Sequence, residues 1–472
     1  MTGIISLGTY IPIYRLHREE IARMWGTRSI GGQKAVAGYD EDAVTMAVAA
    51  AQECLTHNSS GPDRLYFATT TAPYQEKQSA AIIASAVQMG RHAVTADITN
   101  SLRAGTTALR TALDAVDSGS AGNVLVVASD CRLGAPKGMH EQLFGDAAAC
   151  LEIGREDVIA EVESSHCLNS EFTGVWRTTA DRFVKSGEGR FVEEQGYQPI
   201  LIETISGLLK AGNLQPEDFS KIVFPASDSR THAKLAGKLG FKAGQIQDPL
   251  FDRIGNAGAA GPMIMLSMAL GEAKPGDRIM LANYGDGADA FVLRITEAVR
   301  PFQAGLEKPV ASSRSIDYGT YLNWRNLMQL EAPSLPPRGE PSLSSRWRQR
   351  HVISTLSGVK CRNCGLPQIH TLGQNIRICV GCQTKDDFDP YCFSDKKASL
   401  FTYAVDHLQP TKNPPGLNGV IDFEGGGRLI CELTDYDLNR VEIGMPLEMT
   451  FRKLSQGEGI VNYFWKARPV AR

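Results

Sequence analysis

The sequence predicts an α/β fold made of two similar halves, followed by two small modules, of which the last is rich in β-strands. Over residues 1 to 300, short apolar strands alternate with helices of small residues. Four elements of this stretch recur later in the same order. Towards the C-terminus the helical signal fades and short alternating runs replace it.

In the first stretch, strands are expected where short runs are apolar and rich in β-branched residues. These runs are Leu65–Thr69, Asn123–Ser129, Lys221–Pro225 and Arg278–Asn283. Helices are expected between them, at Asp42–Leu55, Ala104–Val116, Ile200–Ala211, His232–Leu239 and Ala259–Gly271. Alternating β and α units predict a mostly parallel sheet with helices on its outside.

In the internal repeat, each of four early elements resembles a later element in sequence. The pairs are Arg64–Thr70 with Lys221–Ala226, Ser101–Leu113 with Gly255–Leu270, Asn123–Asp130 with Arg278–Gly285, and Gly145–Ile153 with Gly287–Ile295. Any two α/β stretches share some likeness, but chance does not readily keep four elements in one order. The repeat therefore predicts a duplicated α/β half.

Composition excludes several classes of function. The chain has 472 residues, a formal net charge of −3 at pH 7 and ten cysteines. Without a basic surplus, no nucleic-acid partner is expected, and without a long apolar run no membrane span or signal peptide is expected. Cysteines at this frequency suit a reducing compartment better than a disulfide scaffold. We therefore expect a cytoplasmic protein that binds neither nucleic acid nor membrane.

The C-terminal third changes character. Residues 301–350 are expected to form a helical tail and a Pro- and Ser-rich linker, Pro333–Arg346. Five short strands follow, at Ser399–Leu408, Gly419–Phe423, Arg428–Leu433, Met445–Phe451 and Gly459–Trp465. They predict a small closed barrel of the OB type over residues 391–472. Acidic residues such as Glu432, Asp435 and Glu448 favour a protein or acyl-carrier partner for this barrel over nucleic acid.

Four cysteines ahead of this barrel form the most specific motif of the chain. Two CxxC pairs, separated by fourteen residues, match the ligand set of a tetrahedral structural zinc site; the ligands are Cys361, Cys364, Cys379 and Cys382. Gly365 and Gly381 are expected to give the two turns their backbone freedom. Two disulfides or four unrelated cysteines are the alternatives. A zinc ion here would define a ribbon over residues 351–390 and, held by four thiolates, would support structure rather than catalysis.

Residues 1–300 and the tail that follows carry several motifs of one enzyme family. These are Gly38–Ala51, Pro73–Lys77, Arg103–Leu109, Phe144–Ala149, Lys238–Phe241, Gly255–Ala260, Tyr284–Phe291 and Ile316–Leu327. In these motifs the chain resembles the thiolase superfamily and, within it, the archaeal form of 3-hydroxy-3-methylglutaryl-CoA synthase. The resemblance implies a duplicated five-layer α/β fold and a CoA thioester as substrate. The C-terminal part resembles the zinc-ribbon and OB-fold proteins once called domain of unknown function 35, which often accompany thiolase-like subunits as separate chains.

At the family's catalytic positions this sequence departs from the pattern. The positions of the family's glutamate, nucleophilic cysteine and histidine align with Thr70, Leu102 and Pro225. Only the asparagine that follows a glycine is kept, as Asn256. Leucine has no thiolate with which to attack a thioester, so an acyl-cysteine at this position is excluded.

Three side chains remain as candidates for catalysis. Ser101 precedes a helix start whose amides can stabilise an oxyanion, or it serves only as a helix cap. Asn256 can donate to a thioester oxygen and stabilise an enolate, or it is a turn residue beside glycines. His140 is a candidate base, although a single loop histidine is usually structural or solvated. Cys131, at a strand end, is placed like a functional residue or is simply buried.

Two functions from different classes fit this sequence. The first is an enzyme that makes or breaks a C–C bond beside a CoA thioester without an acyl-cysteine, since aldol chemistry needs only enolate stabilisation and an acid or base. The second is a non-catalytic scaffold that partners an active thiolase or channels acyl-CoA to it. For both, the resemblance implies a homodimer or a complex with another thiolase-like subunit, paired through a sheet edge for which Asn123–Ser129 is the candidate strand.

Overall fold

Two compact units make up the chain. The computed structural model describes residues 1–56, 61–226, 228–305, 313–331, 342–370, 375–457 and 459–470. The first unit comprises Met1–Ala37, Asp42–Ala84 and Met89–Tyr321. The second comprises Gly38–Glu41, Ser85–Gln88 and Leu322–Arg472. Most of the predicted Pro- and Ser-rich linker, residues 332–341, lies outside the described residues.

The strands of the first unit begin at residue 3 and end at residue 316. In chain order they are β1 (Gly3–Tyr10), β2 (Tyr14–His17), β3 (Gln33–Val36), β4 (Arg64–Thr69), β5 (Val94–Thr99), β6 (Val124–Asp130), β7 (Ala147–Gly154), β8 (Ala160–Asn169), β9 (Val175–Trp176), β10 (Lys185–Ser186), β11 (Lys221–Val223), β12 (Arg278–Tyr284), β13 (Gly287–Ile295) and β14 (Arg314–Ile316). The four strands predicted from apolar runs correspond to β4, β6, β11 and β12 and are confirmed.

Helices separate these strands. Up to residue 324 they are α1 (Arg18–Trp25), α2 (Ala43–Leu55), α3 (Ala80–Ala86), α4 (Ala104–Asp117), α5 (Met139–Leu143), α6 (Gly189–Phe191), α7 (Gln198–Gly212), α8 (Ser229–Lys238), α9 (Phe251–Ile254), α10 (Gly261–Glu272), α11 (Val299–Gly305) and α12 (Tyr318–Trp324). The predicted helices correspond to α2, α4, α7, α8 and α10 and are confirmed within a few residues at their ends. None of the helices among the described residues is long and apolar enough to cross a membrane.

Local sequence sets the ends of the longer helices. The Asp42 carboxylate accepts hydrogen bonds from the amides of Val44 and Thr45, at 3.0 and 2.9 Å, so α2 begins in a capping box. Asp228 caps α8 in the same way. Asn213 ends α7 in the left-handed conformation, with φ of 49°, which asparagine adopts more easily than most residues.

The main sheet shows the duplication directly. Within the described residues, nine strands form one sheet in the order β11-β12-β13-β8-β1-β7-β6-β4-β5. From β1 outwards the pairings are antiparallel, antiparallel, parallel and parallel. From β8 outwards they are antiparallel, antiparallel and parallel, and a parallel bridge of Ile222 with Ile246 stands where a fifth strand would follow. The predicted duplication is confirmed, and a short β1–β8 pairing joins the two halves.

The expectation of a mostly parallel sheet is wrong. Strands β7 and β13 run antiparallel to both of their neighbours, and β1 runs antiparallel to β8. A tight hairpin connects β12 to β13, with positive φ at Asp286 and Gly287. Such a connection reverses the chain without a crossover helix, and the alternation of apolar runs does not distinguish it from a βαβ unit.

Apolar faces stack the first unit into layers. Helices α4 and α10 share one buried core with strands of both halves; it includes Leu109, Val126, Ile264 and Leu281. Helix α2 packs on β1 and β7 on one outer side, and α7 packs on β8 and β13 on the other. The order helix, sheet, paired helices, sheet, helix is the predicted five-layer arrangement, in which each amphipathic or apolar helix covers one face of a half.

The strand predicted to form the sheet edge lies in the interior. Asn123–Ser129 corresponds to β6, which pairs with β7 on one side and with β4 on the other. All seven residues of β6 are buried, which is typical of a central strand covered on both faces. The outermost strand on this side is β5, Val94–Thr99, in which Val94 is 51% exposed.

The second unit contains two small sheets. Its strands are β15 (Ser357–Cys361), β16 (Pro367–Ile369), β17 (Phe388–Cys392), β18 (Ala398–Asp406), β19 (Gly416–Phe423), β20 (Arg428–Glu432), β21 (Pro446–Gly457) and β22 (Ile460–Pro469), preceded by helices α13 (Leu343–Arg348) and α14 (Arg350–Thr355). The first three strands form a sheet in the order β16-β15-β17, and the last five form a sheet in the order β20-β19-β18-β21-β22.

The five-stranded sheet closes on itself. Leu433, directly after β20, forms a parallel bridge with Ala467 of β22, and the amide of Thr434 donates to the carbonyl of Ala467 at 2.9 Å. Trp465 and Phe451 fill the interior at 0 and 3% exposure. The five strands and the closed barrel predicted from the sequence are confirmed.

A cluster of charges is buried in the second unit. The ion pairs are Arg452 with Glu41 and Asp435, and Lys466 with Asp40 and Glu432. Although burial opposes ionisation, Lys466 and Arg452 lower the pKa of Asp40. Asp435 is 5% exposed, so this acidic residue serves the interior and does not contribute to the acidic barrel face that the sequence suggested.

His232 of α8 is buried as a neutral ring. It is 2% exposed, and its ring centroid lies 4.1 Å from that of Phe224. Its Nε2 has no hydrogen-bond partner in the described part of the chain. Burial lowers the pKa of His232 to about 4, against the opposing effects of the Phe224 backbone, Asp248 and Asp228.

Mild acid should destabilise the protein through His232. The unfolded chain takes up a proton near pH 6.5, whereas the folded chain resists protonation until the pH nears 4, so the stability present above pH 6.5 is lost as the pH falls. The loss amounts to about 3 kcal/mol at most. We expect the urea midpoint of His232→Phe to fall less than that of the wild type between pH 7 and pH 4.5. Exposed His92→Gln is the control and should behave like the wild type; an unchanged pH dependence in His232→Phe would contradict the assignment.

Candidate active site and metal centre

A buried carboxylate organises the strand ends of the first half. Parallel strands β4 and β6 end at the same edge, where Asp130 closes β6 at 0% exposure. Asp130 Oδ1 accepts hydrogen bonds from the hydroxyls of Thr69, Thr70 and Thr71 at 3.0, 3.0 and 3.1 Å. It also accepts one from the Thr70 amide at 2.7 Å. Thr70 is therefore fixed by a carboxylate from the neighbouring strand.

The same carboxylate reaches the second half of the fold. Asp130 Oδ2 accepts a hydrogen bond from the amide of Ala259 at 2.8 Å. Gly258, next to it, has φ of 59°, and a Cβ there would lie 2.2 Å from Asp130 Oδ2. Only glycine fits this approach, because any other side chain would displace the carboxylate.

Asn256 lies directly before this contact. Its Oδ1 accepts a hydrogen bond from the amide of Gly258 at 3.0 Å, so the turn role considered from the sequence is present. Its backbone pairs with the residues around Phe144: its amide donates to the Leu143 carbonyl at 2.8 Å, and its carbonyl accepts from the Gly145 amide at 3.0 Å. Within the described residues, Nδ2 of Asn256 makes no hydrogen bond and can donate to a ligand.

Pro225 and Asn256 face one small cavity. The cavity has a volume of about 30 Å³, and its other walls include Pro249, Leu250 and Met265. Two residues that the sequence aligned with the family's histidine and asparagine therefore line one cavity, and proline supplies no titratable group there. A phenolic group lies close to this position, since Tyr197 donates from its hydroxyl to the Pro225 carbonyl at 2.5 Å.

Ser101 and Leu102 precede α4 and pack against Gly285. The Ser101 hydroxyl donates to the Gly285 carbonyl at 3.1 Å and accepts from the Arg103 amide at 3.4 Å. A Cβ on Gly285 would lie 2.9 Å from Ser101 Oγ and 3.0 Å from the Leu102 amide nitrogen. The hydroxyl is thus bound to backbone groups. The N-cap residue of α4 is Arg103, and no side chain caps this helix start, so Ser101 holds the loop before the helix and does not act as the N-cap expected from the sequence.

His140 stands on α5, against Phe144. The two rings stack with centroids 4.8 Å apart, and Phe144 is bridged to Asn256. Burial and the positive charge of Arg132 lower the pKa of His140, although a hydrogen bond with the Val184 backbone opposes them. The ring is therefore neutral at pH 7 and able to accept a proton.

Several site residues were missed by reasoning from the sequence. The stretch Asp130-Cys131-Arg132 was considered only for Cys131, whose neighbours Asp130 and Arg132 are the more buried residues, at 0 and 6% exposure. Gly285 lies against the Leu102 amide, although the two residues are almost 200 residues apart in the chain. Tyr197 binds the Pro225 carbonyl from about 30 residues away. A charged pair directly after an apolar strand was the one signal available, since parallel strand ends are common ligand sites.

The four predicted zinc ligands come together. The ligand atoms of Cys361, Cys364, Cys379 and Cys382 all lie within 4.8 Å of one another, and all ten cysteines are free thiols. Two Sγ–Sγ distances, Cys361 to Cys382 and Cys364 to Cys379, are 3.6 and 3.5 Å. A tetrahedral zinc ion with Zn–S bonds of about 2.3 Å requires sulfur separations of about 3.8 Å. The donor set therefore fits zinc, which would crosslink the two turns and leave no open coordination position.

The two turns of this cluster have the same geometry. In the first, the Gly365 amide donates to the Cys361 carbonyl at 2.9 Å; in the second, the Gln383 amide donates to the Cys379 carbonyl at 2.9 Å. Both amide donors have positive φ, 74° and 58°. The expectation for Gly365 is met, but the second turn uses Gln383 instead of Gly381. Gly381 matters for space, because a Cβ there would approach Leu366 Cδ2 to 3.1 Å.

Comparison with solved structures defines the class of the first unit. It matches a crystal structure of HMG-CoA synthase complexed with CoA at a TM-score of 0.63 and 18% identity, over 68% of this chain and 89% of that one. It also matches MvaS in complex with 3-hydroxy-3-methylglutaryl coenzyme A at a TM-score of 0.61 and 20% identity, over 72% and 94% of the two chains. The fold is that of the thiolase-like proteins.

Sequence relatives narrow the class to a family. The chain is 32% identical over 345 residues to hydroxymethylglutaryl-CoA synthase of Picrophilus torridus, covering 70% of this chain and 98% of the relative. It is 34% identical over 339 residues to the same enzyme of Aeropyrum pernix, covering 68% and 94%. The chain belongs to the hydroxymethylglutaryl-CoA synthase family.

Two family models match parts of the chain. The model described as 3-oxoacyl-[acyl-carrier-protein (ACP)] synthase III C terminal covers residues 209–295, within the second half of the duplicated fold. The model described as ChsH2, C-terminal OB-fold domain, covers residues 393–452, from just before β18 into β21. The predicted combination of a thiolase-like part with an OB-fold part is confirmed.

Freshly purified protein should contain one zinc ion per chain. The four thiols fit tetrahedral coordination, and such sites supply much of the folding energy of a small module. Cys364→Ser should lose the metal and the protease resistance of the segment around it, as measured by elemental analysis and limited proteolysis. Cys392→Ser, a cysteine of β17 outside the cluster, is the matched control and should keep full zinc content. Purified wild type without zinc would refute the assignment.

Proposed function

We propose that this chain makes or breaks a C–C bond next to a CoA thioester without forming an acyl-cysteine. The proposal rests on the sequence alignment of Leu102 with the family's nucleophile, and it is supported by the hydrogen bonds of Asp130 that hold the neighbouring strand ends and the turn at Asn256 in order. Membership of the hydroxymethylglutaryl-CoA synthase family supports acyl-CoA chemistry. Structures of related proteins in complex with CoA and with 3-hydroxy-3-methylglutaryl coenzyme A support the thioester as substrate.

The chemistry needs an enolate and a place for its charge. A base removes a proton from the carbon next to the thioester carbonyl, and the electron pair moves onto the thioester oxygen. The enolate carbon then attacks a second carbonyl, forming the C–C bond, and the new alkoxide takes up a proton; the reverse sequence breaks the bond. Nδ2 of Asn256 and the Leu102 amide beside Gly285 are the donors we assign to the charged oxygen.

His140 is the base we assign to the proton transfer. Its ring is neutral at pH 7 because burial and Arg132 lower its pKa, and it stacks on Phe144, which is bridged to Asn256. Ser101 is not assigned to attack the thioester, since its hydroxyl donates to the Gly285 carbonyl. Thr70, held by Asp130, takes no proton and shapes the wall of the site.

The alternative of a non-catalytic scaffold has no support among the relatives, which are hydroxymethylglutaryl-CoA synthases. The zinc ion completes the proposal as a structural element held by the four cysteines of the ribbon. A cytoplasmic location agrees with ten free thiols, because an oxidising compartment would favour disulfides.

Enolate formation can be measured without knowing the second substrate. We expect the wild type to exchange the C2 protons of acetyl-CoA or propionyl-CoA for deuterium in D₂O, followed by NMR. Asn256→Asp keeps the Oδ1 that accepts from Gly258 and loses the Nδ2 donor, so it should slow exchange about 10²- to 10³-fold. CoA affinity, measured by calorimetry, should change far less.

Two controls accompany this measurement. Ser101→Ala should retain most of the exchange, because the hydroxyl is bound to the Gly285 carbonyl and takes no part in the proposed chemistry. Incubation with radiolabelled acetyl-CoA, followed by a denaturing gel, should leave no stable label on a cysteine. Stable label on Cys131 or Cys150, or no exchange with either thioester, would refute the proposal.

A homodimer or a complex with a second thiolase-like subunit completes the proposed assembly. Strand β5 is the edge from which such pairing would extend, since β6 lies in the interior. We expect light scattering at micromolar concentration to give twice the chain mass of 51.2 kDa. The Val94 amide donates to the Asp63 carbonyl, so the neighbouring residue, Thr95, carries the outward-facing amide. Thr95→Pro removes that edge amide and should shift the protein towards the monomer, whereas an unchanged mass of the variant would argue against this interface.

A further inference from the structure

We propose that Arg132 forms a subsite for a carboxylate carried on the acyl group of the thioester. The inference rests on the proposed function and specifies its substrate class, a CoA thioester whose acyl chain ends in a second acid group. Arg132 follows β6, two residues after Asp130.

The guanidinium is buried, and no carboxylate among the described residues forms a hydrogen bond or a close ion pair with it. Arg132 is 6% exposed, so more than nine-tenths of it is removed from solvent. Within the part of the chain that the structure describes, it makes no hydrogen bond and no ion pair. Its nitrogen atoms are not fully enclosed by the protein, in contrast to Arg15 Nε, which is fully enclosed and has no hydrogen-bond partner among the described residues. A buried charge without a partner is unfavourable, and a ligand carboxylate would supply the missing partner.

Phe144 holds the guanidinium by its face. The Cζ atom of Arg132 lies 4.1 Å from the centroid of the Phe144 ring. This cation–π contact uses the face of the group and leaves the N–H donors in its plane for a ligand. Two parallel N–H donors match the two oxygens of a carboxylate, which explains why arginine suits this position better than lysine.

Two neighbouring charges act on Arg132 in opposite directions: Asp130 raises its pKa and Arg177 lowers it. Asp130 is already bound by three threonine hydroxyls and two amides. Arg177 adds a second positive charge and donates to the Thr70 carbonyl at 2.7 Å. His140 is neutral at pH 7. Burial lowers the pKa of Arg132 to about 10, so it keeps its charge at neutral pH.

The position of Arg132 selects the acyl end of the ligand. Its aromatic support, Phe144, is bridged to Asn256, and Asp130 holds Thr70, so two of the family's catalytic positions lie beside it. CoA carries its phosphates at the opposite end from the reacting carbon. A carboxylate on the acyl chain is therefore the anion that this arrangement favours over a CoA phosphate.

Paired ligands of equal chain length test the inference. Calorimetry on the full-length protein compares succinyl-CoA with butyryl-CoA, which share the CoA phosphates and differ in the terminal carboxylate. We expect the wild type to bind succinyl-CoA about tenfold more tightly, as one charge-assisted hydrogen-bonded pair provides. Arg132→Gln should reduce this ratio to about one and leave butyryl-CoA binding unchanged, which also shows that the variant is folded.

Further variants separate the outcomes. Arg132→Lys keeps the charge without the paired donors and should retain only part of the preference. Arg110→Gln is the matched control, because Arg110 also lies over a phenylalanine ring, at 5.2 Å from Phe291, and should keep the full ratio. Equal weakening of both ligands in Arg132→Gln would assign Arg132 to the CoA phosphates and overturn the inference. If the wild type binds butyryl-CoA without preferring succinyl-CoA, the carboxylate subsite is wrong but the proposed function stands. If it binds neither thioester, both the subsite and the proposed function are wrong.

Discussion

The buried carboxylate of Asp130 is the interaction on which the geometry of the site depends. A carboxylate at 0% exposure is unfavourable unless hydrogen bonds replace its water, and here five donors from two parts of the fold do so. Three donors are side chains at the end of β4, and one is the Ala259 amide in the second half. Losing the carboxylate would therefore release the Thr70 segment and the turn at Asn256 together. Gly258 approaches Asp130 closely, so the contact that orders the site also joins the two halves of the fold.

Much of the architecture follows from local sequence patterns. Strands and helices of the duplicated halves are short, apolar and regularly spaced, so their positions and their repetition are predictable. The strand pairing is not, because it joins residues far apart: β6 is equally apolar whether it stands at an edge or between β7 and β4. The antiparallel return of β13 depends on a two-residue turn at Asp286, which a pattern of apolar runs does not reveal.

The metal centre could be predicted from local sequence, whereas most of the active site depends on contacts between residues far apart in the chain. The zinc ligands lie within twenty-two residues of chain and repeat a fixed spacing, so all four could be identified, and only the turn residue Gln383 was missed. In the active site, family motifs located Thr70, Leu102, Pro225 and Asn256. The residues around them could not be found in this way, because Asp130 binds Ala259 across 129 residues of sequence and Arg132 is recognised only by its burial against Phe144.

The buried ion pairs of the second unit bear on how this protein arose as one polypeptide. Its C-terminal part matches the model described as ChsH2, C-terminal OB-fold domain, over residues 393–452, as expected for a module that also occurs in other proteins. Here, however, two of the carboxylates that neutralise Arg452 and Lys466 belong to Asp40 and Glu41, almost three hundred residues before Leu322. A gene fragment that starts at Leu322 would keep the pairs of Arg452 with Asp435 and of Lys466 with Glu432, but it would lose the pairs with Glu41 and Asp40 and so leave a buried excess of positive charge. The C-terminal part thus depends on residues from the N-terminal part of the same chain, and splitting this chain into two genes would require compensating changes inside the barrel.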